Sequence, residues 1–346
     1  MVTQVFLLSS FADPADDTHW ASPYHALRRA FSEHPSAGCV LVDSPEAADL
    51  IVICPRPSNP VFPAEIFRRG IAWKYRHKCV VVSTDDNPTI THKGFYTSLR
   101  ASTLRSPLLK GGFDPRVAYV GPEEPFPIDT GHRLLFSFLG SFATHPVRER
   151  IGALVDQWAH AGTAAFLIKD TRRTSAAERS PEEAEAFRLT YLDAMRESKF
   201  ILCPRGMCPS SIRLFETMKA GRVPVVISDE WVRPPEVRWD DFAIFVREGD
   251  VASIPEILVA EEAAFAERAA AARRAWDGWF AKEALAGTVT RWGLSLLEES
   301  RRASPSWRHL AALWTQVGHW RFLRRGLLSE LRRSSGLAGP GGRHVG

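Results

Sequence analysis

No apolar run in this 346-residue chain is long enough to cross a bilayer as a helix, and the first residues, MVTQVFLLSSFADPADD, carry no basic leader. A spanning helix needs about 20 apolar residues in succession, so the expectation is a cytoplasmic protein. Cysteine is scarce: the five residues at 39, 54, 79, 203 and 208 form neither a disulfide framework nor a paired C-x-x-C ligand set. Cys39, Cys54, Cys79 and Cys203 sit in apolar runs and read as small core residues, while Cys208 has no companions for a zinc site. The segment after the first apolar strand, SSFADPADD, lacks the glycine fingerprint of a dinucleotide site, which argues against a dinucleotide-dependent oxidoreductase. No long internal repeat is present. The acids of Asp85-Asp86 are adjacent and so lack the spacing of a D-x-D metal motif; no metal ligand and no cofactor is expected.

What remains is an ordinary globular composition, 45% hydrophobic and 24% charged, in a chain long enough for two domains. The net charge of +4 is unevenly spread: from residue 301 on there are nine arginines and one acid, Glu330, so the tail is +8 and the body −4. A mildly acidic body offers no footprint for nucleic acid. In the first half, strands at 5–8, 39–42, 50–54 and 79–83 alternate with helices at 22–34 and 64–77, the pattern of a parallel α/β sheet, with a short helix at 45–48. From 84 to about 131 the regular pattern stops. The polar run TDDNPTITHKGFYTSLR, with Asp85, Asp86 and His92, reads as a functional loop, and PEEPFPIDTG (122–131) as an interdomain linker.

A second sheet opens with a strand at 134–139 that turns at Gly140-Ser141. His145 precedes a helix begun by Pro146. Arg148 and Arg150 fall in its first turns, where cations oppose the helix dipole unless an anion is present. A strand at 164–168, a helix from 181, a strand at 243–246 and an alanine-rich helix over 255–286 complete the second half. Residues 288–333 read as helical, with Trp292, Trp307, Trp314 and Trp320 among arginines. Tryptophans packed on the body are the first reading and contact with a membrane surface is the second. The expected domains are 1–130, 131–287 and a helical, basic segment over 288–346.

The most informative stretch is 198–234, SKFILCPRGMCPSSIRLFETMKAGRVPVVISDEWVRP. Apolar runs at 200–202 and 223–227 flank a helical pattern of Ile212, Leu214, Phe215 and Met218 that stops at Gly221. This is a βαβ unit, and its first turn leaves the carboxyl end of a strand, where open α/β sheets bind ligands. Ser210 and Ser211 can cap the helix. Arg205 and Arg213 supply planar forks matched to phosphate oxygens, and Glu216 can accept from sugar or ribose hydroxyls. A bare cap and a solvated glutamate are the bland alternatives.

The segment resembles the signature of the exostosin-like glycosyltransferases, of glycosyltransferase family 47 type. It has the CPRG turn (Cys203, Pro204, Arg205, Gly206), then SS-x-R-x-x-E (Ser210, Ser211, Arg213, Glu216). After these comes AG-x-x-PV-x-x-SD-x-W-x-x-P, carried by Ala220, Gly221, Pro224, Val225, Ser228, Asp229, Trp231 and Pro234. The family's turn usually has a second glycine where this chain has Cys208-Pro209. FSFLGSFATHPVRERI (136–151) resembles the entry into the same domain, and the likeness is good over roughly 135–235. It implies a GT-B-like fold, two Rossmann-like parallel α/β domains facing a cleft with a C-terminal helix crossing back, and a bacterial type without the usual membrane anchor. It also implies inverting transfer of a sugar from a nucleoside-diphosphate sugar, UDP-sugar first, to a hydroxyl of a glycan or lipid-linked acceptor. Gly140, Ser141, Arg148, Arg205, Gly206, Ser210, Ser211, Arg213 and Glu216 would bind the donor. The general base is sought in the order Asp86, Asp85, then His92 and His145. The alternative is a non-catalytic partner of an active transferase, and the basic tail leaves room for peripheral contact with the inner membrane face.

Overall fold

The computed structural model describes residues 2–9, 23–35, 38–55, 70–86, 88, 90, 92–128, 131–162, 164–171 and 180–302. The chain divides into two compact units, Met1–Phe113 with Val289–Gly346, and Asp114–Thr288.

In the first unit the strands β1 (Thr3–Ser9), β2 (Cys39–Leu41), β3 (Leu50–Cys54), β4 (Cys79–Ser83), β5 (Gly94–Tyr96) and β6 (Leu109–Gly111) form one parallel sheet in the order β2-β1-β3-β4-β5-β6. Strands covered on both faces read as unbroken apolar runs, and LIVIC and CVVVS are buried at every position. Helix α1 (Pro23–Glu33) buries Tyr24, Leu27 and Phe31 along one face. Of the helix expected at 64–77, the described residues show the short α2 (Ile71–Lys74) and a 3-10 turn (Arg76–Lys78), and the expected helix at 45–48 is a turn in which Ser44 Oγ accepts from the Glu46 and Ala47 amides.

Strands β5 and β6 correct the reading of 84–131 as wholly irregular. Three residues are too few to show a period, and β5 is placed by close backbone approach instead. A Cβ on Gly94 would lie 2.3 Å from the Val81 carbonyl oxygen.

The second unit repeats the design with β7 (Leu134–Gly140), β8 (Phe166–Asp170), β9 (Ser198–Pro204), β10 (Val223–Ile227) and β11 (Ile244–Val246), all parallel, in the order β11-β10-β9-β7-β8. Helices α3 (Pro146–Ala153), α4 (Val155–Ala161), α5 (Pro181–Glu197) and α6 (Ile212–Lys219) connect the strands. Phe136, Phe138, Phe200, Val225, Ile151 and Trp158 fill the core. The single alanine-rich helix expected over 255–286 is instead α7 (Ile254–Glu261), a 3-10 turn (Glu262–Ala264) and α8 (Phe265–Trp279), followed by α9 (Lys282–Arg302). The breaks let Phe265, Trp276 and Phe280 all turn inward.

Residues 114–128, which the sequence assigned to the first domain and to a linker, belong to the second unit. The cause is local: Lys219 Nζ donates to the carbonyls of Ala118 (3.2 Å) and Val120 (2.7 Å), and the Phe126 amide donates to Ala220 O (3.0 Å). Conversely, α9 ends in the first unit. There Trp292 packs on Phe95 and Phe113, at ring separations of 5.6 and 5.8 Å, and Gly293 passes so close to Leu50 that a Cβ would meet its Cδ2 at 2.7 Å. Trp307, Trp314 and Trp320 lie outside the described residues. The result is the GT-B-like class expected, two parallel α/β units with the last described helix returning to the first. Among the described residues no helix is long and apolar enough to cross a membrane.

Candidate functional site

In the second sheet β7, first in sequence, is flanked by β8 on one side and β9 on the other. The winding direction therefore reverses between β7 and β9. The crevice outside the carboxyl ends of two such strands is where doubly wound sheets take their ligands. Gly140 ends β7, and Arg205-Gly206 follow β9.

Arg148, on the first turn of α3, ties these two ends together. Its Nε donates to Arg205 O (2.9 Å), Nη2 to Pro204 O (2.9 Å) and Nη1 to Ser141 O (3.2 Å). Arg213, on the first turn of α6, donates through Nη2 to Leu139 O, while its buried Nε has no hydrogen-bond partner among the described residues. Both guanidiniums lie over the Phe138 ring, at 5.4 and 4.6 Å. Burial, aided by the neighbouring Arg213 charge, brings Arg148 down to about 10. Neither arginine has a carboxylate partner among the described residues. Both glycines are dictated by this crowding. A Cβ on Gly140 would lie 2.8 Å from Arg213 Nη2, and one on Gly206 would lie 3.3 Å from Arg148 Nη2.

Arg205 sits deeper, only 3% exposed, with Nη1 3.6 Å from Glu248 Oε1. Glu248 is itself fixed by a reciprocal pair: the Asp229 amide donates to its Oε1 (3.2 Å) and its own amide donates to Asp229 Oδ1 (3.1 Å). Glu216 on α6 accepts from the Tyr191 hydroxyl at 2.6 Å, and burial together with that carboxylate holds the phenol well above its usual range. Glu248, Tyr191 and Phe138 were not singled out from the sequence. The first two lie far along the chain from their partners, and no local spacing announces either.

The serine caps expected on α6 are absent as side-chain bonds. Ser211 is the N-cap residue, but its side chain makes no capping hydrogen bond, and Ser210 and Ser211 are both buried. Ser211 is extended, and its carbonyl, not its hydroxyl, accepts from the Leu214 amide (3.1 Å). Among the described residues the opening turn of α6 is thus left without a side-chain cap.

The candidate bases fall in both units. His145 is the N-cap of α3, its Nδ1 accepting from the Val147 amide (3.3 Å), so the neutral ring carries its proton on Nε2. His92, Asp85 and Asp86 lie in the first unit. The His92 Nε2 is 3.4 Å from the Ala72 carbonyl, and burial lowers its pKa. Asp85 and Asp86 follow β4 at its carboxyl end. The Asp85 amide donates to Ser83 Oγ (3.4 Å), and Asp86 is exposed.

A family description, the Exostosin GT47 domain, matches residues 112–260, the span that holds every one of these second-unit residues. The "Exostosin-1 homolog" of Caenorhabditis elegans is 45% identical over 74 residues, 21% of this chain and 19% of that protein. A "Probable glucuronosyltransferase" of Oryza sativa subsp. japonica is 42% identical over 71 residues, 20% of this chain and 17% of that protein. The match therefore spans less than a fifth of the length of these two relatives. Among solved structures, a sucrose-phosphate synthase from Thermosynechococcus elongatus is 12% identical, with 87% of this chain and 98% of that one covered at a TM-score of 0.39. So distant a likeness carries no weight for function. The residues of the second-unit site thus fall within a span, 112–260, that is similar to the Exostosin GT47 domain.

Proposed function

We propose that the protein transfers a sugar from a nucleoside-diphosphate sugar, a UDP-sugar first, to a hydroxyl of a glycan or other acceptor, with inversion and without a metal. The observation that supports it most is the pair of guanidiniums at the switch point, Arg148 and Arg213. They are close enough for one to depress the other and have no described carboxylate between them. Two like charges held together by main-chain carbonyls are stabilised by a dianion, and the uncapped turn of α6 adds amide dipoles of the same sign. Arg148 gives three nitrogens to carbonyls and Arg205 faces Glu248, whereas Arg213 gives only Nη2, to Leu139 O; Arg213 therefore makes the main direct contact with the diphosphate, the other two adding positive charge behind it. Glu216, steadied by Tyr191, keeps its other oxygen for a ribose hydroxyl.

In the reaction the acceptor hydroxyl gives its proton to a general base as it attacks the anomeric carbon. The bond to the diphosphate oxygen breaks, and the charge that develops there is met by Arg213 and the α6 amides. Asp86 leads as base, ahead of Asp85, His92 and His145.

Calorimetry against UDP, GDP, CMP and dTDP tests the reading. One nucleotide should bind, and Arg213→Ala should weaken it by about 10- to 150-fold, the worth of a charge-assisted hydrogen bond. Equal affinity in wild type and variant would remove Arg213 from the site, and no binding at all would remove the donor reading. If protein charge alone meets the leaving group, turnover should persist in excess EDTA. Full loss with recovery on Mn²⁺ or Mg²⁺ would show that a metal takes part. Among the described residues no three His, Cys, Asp or Glu side chains gather as a metal site.

A further inference from the structure

Arg213 and Glu216 stand three residues apart on α6, the spacing at which opposite charges meet on one helix face. The arginine has reason to pair. Its buried Nε has no hydrogen-bond partner among the described residues, and an orphaned buried donor is costly. Yet the two side chains turn to other groups. Arg213 Nη2 donates to Leu139 O, and Glu216 Oε2 accepts from the Tyr191 hydroxyl at 2.6 Å. Among the described residues no ion pair joins them.

Tyr191, on α5, engages both charges at separate points. Its hydroxyl holds the carboxylate, and the Arg213 guanidinium lies 5.8 Å over its ring. A ring face attracts a cation and a phenolic hydroxyl bonds an anion, so one side chain serves the two. Phe187, one turn earlier on α5, stacks on the ring at 6.5 Å with 19° between the planes, which limits its swing. Burial and the Glu216 charge push the phenol well above its usual range, so it stays a donor at neutral pH.

We propose that Tyr191 is a positioning residue that keeps Glu216 from neutralising Arg213, leaving the guanidinium open to an anionic ligand. This rests on the reading of Arg213 as the diphosphate contact and adds the group that preserves its charge. Opposite charges held apart on one helix face suit a ligand that carries phosphate and hydroxyls together, as a ribonucleoside diphosphate does. Were the two joined, the ligand would first have to break the pair.

A double-mutant cycle on inorganic pyrophosphate, read by calorimetry, tests the role, since pyrophosphate brings no ribose to Glu216. Y191F should weaken pyrophosphate by about tenfold with Glu216 in place, and by no more than about twofold in the E216Q background. If Y191F merely loosened the fold, the loss would be alike in both backgrounds. That result overturns the proposal, as does unchanged affinity in Y191F alone. A crystal structure of ligand-free Y191F should show the Glu216 carboxylate on Arg213, and a carboxylate that stays away from the guanidinium also overturns it. Absence of pyrophosphate and nucleotide binding in the wild type would remove the diphosphate reading. The Y191F structure would then decide by itself whether Tyr191 separates the charges.

Discussion

Arg148→Ala should lower the melting temperature of the second unit by about 10 °C, a loss of roughly 3–5 kcal/mol, and should weaken nucleotide binding with it. The side chain spans the sheet's switch point and donates to three carbonyls from two different strand ends, those of Ser141, Pro204 and Arg205. Truncation leaves those acceptors without a donor in a half-buried place, and it frees the turn that carries Arg205 and Gly206. Lysine at 148 should recover only part of the loss, because a single ammonium cannot reach both strand ends as a planar fork does. Arg150 is the internal control. It lies two residues further along the same helix, exposed, and among the described residues donates to Glu248 O alone. Arg150→Ala should therefore cost far less. Calorimetric melting of the two variants decides the matter, and equal transitions would mean that Arg148 does not brace the turn.

The same pair shows what the sequence could and could not say. Arg148 and Arg150 look equivalent in the chain, two cations in the first turns of a helix where the dipole disfavours them. Only the fold reveals that the first is met by carbonyls from β7 and β9, which approach across a crossover. The βαβ unit at 198–227 was legible because its strands are apolar without interruption and its helix has a 3.6-residue stripe. Its stop at Gly221 was also legible, and the backbone there does take φ +68. The Arg205–Glu248 and Tyr191–Glu216 contacts were not, since each joins residues on different elements with no periodic relation. Ser210 and Ser211 had the right chemistry for a cap, yet side-chain direction decides a cap and composition does not. Strands β5 and β6 escaped because their places are set by glycine and by backbone pairing to β4, not by alternating hydrophobicity.

Asp86→Asn should lower turnover by about 10²- to 10⁴-fold with donor affinity intact, the usual worth of a general base. The four candidates are not equal once their nitrogens and oxygens are placed. His145 carries its proton on Nε2 and spends the Nδ1 lone pair on the Val147 amide, so it can take up a proton only by giving up the cap of α3. The Nε2 of His92 faces a backbone carbonyl, Ala72 O, and burial works against the charged form that a base must pass through. Asp85 is half-buried just after Ser83, whose hydroxyl accepts from the Asp85 amide. Asp86, one residue on, is exposed at the carboxyl end of β4, the edge of a parallel sheet where substrates are taken. Asparagine keeps its size and turn chemistry while removing the proton acceptor, so a fall in turnover without a fall in melting temperature isolates the role. Should Asp86→Asn keep near-normal turnover while Asp85→Asn loses it, the base is the neighbouring carboxylate. Should both stay active while His92→Ala or His145→Ala is dead at unchanged stability, the base is an imidazole, and solvent access does not rank the candidates.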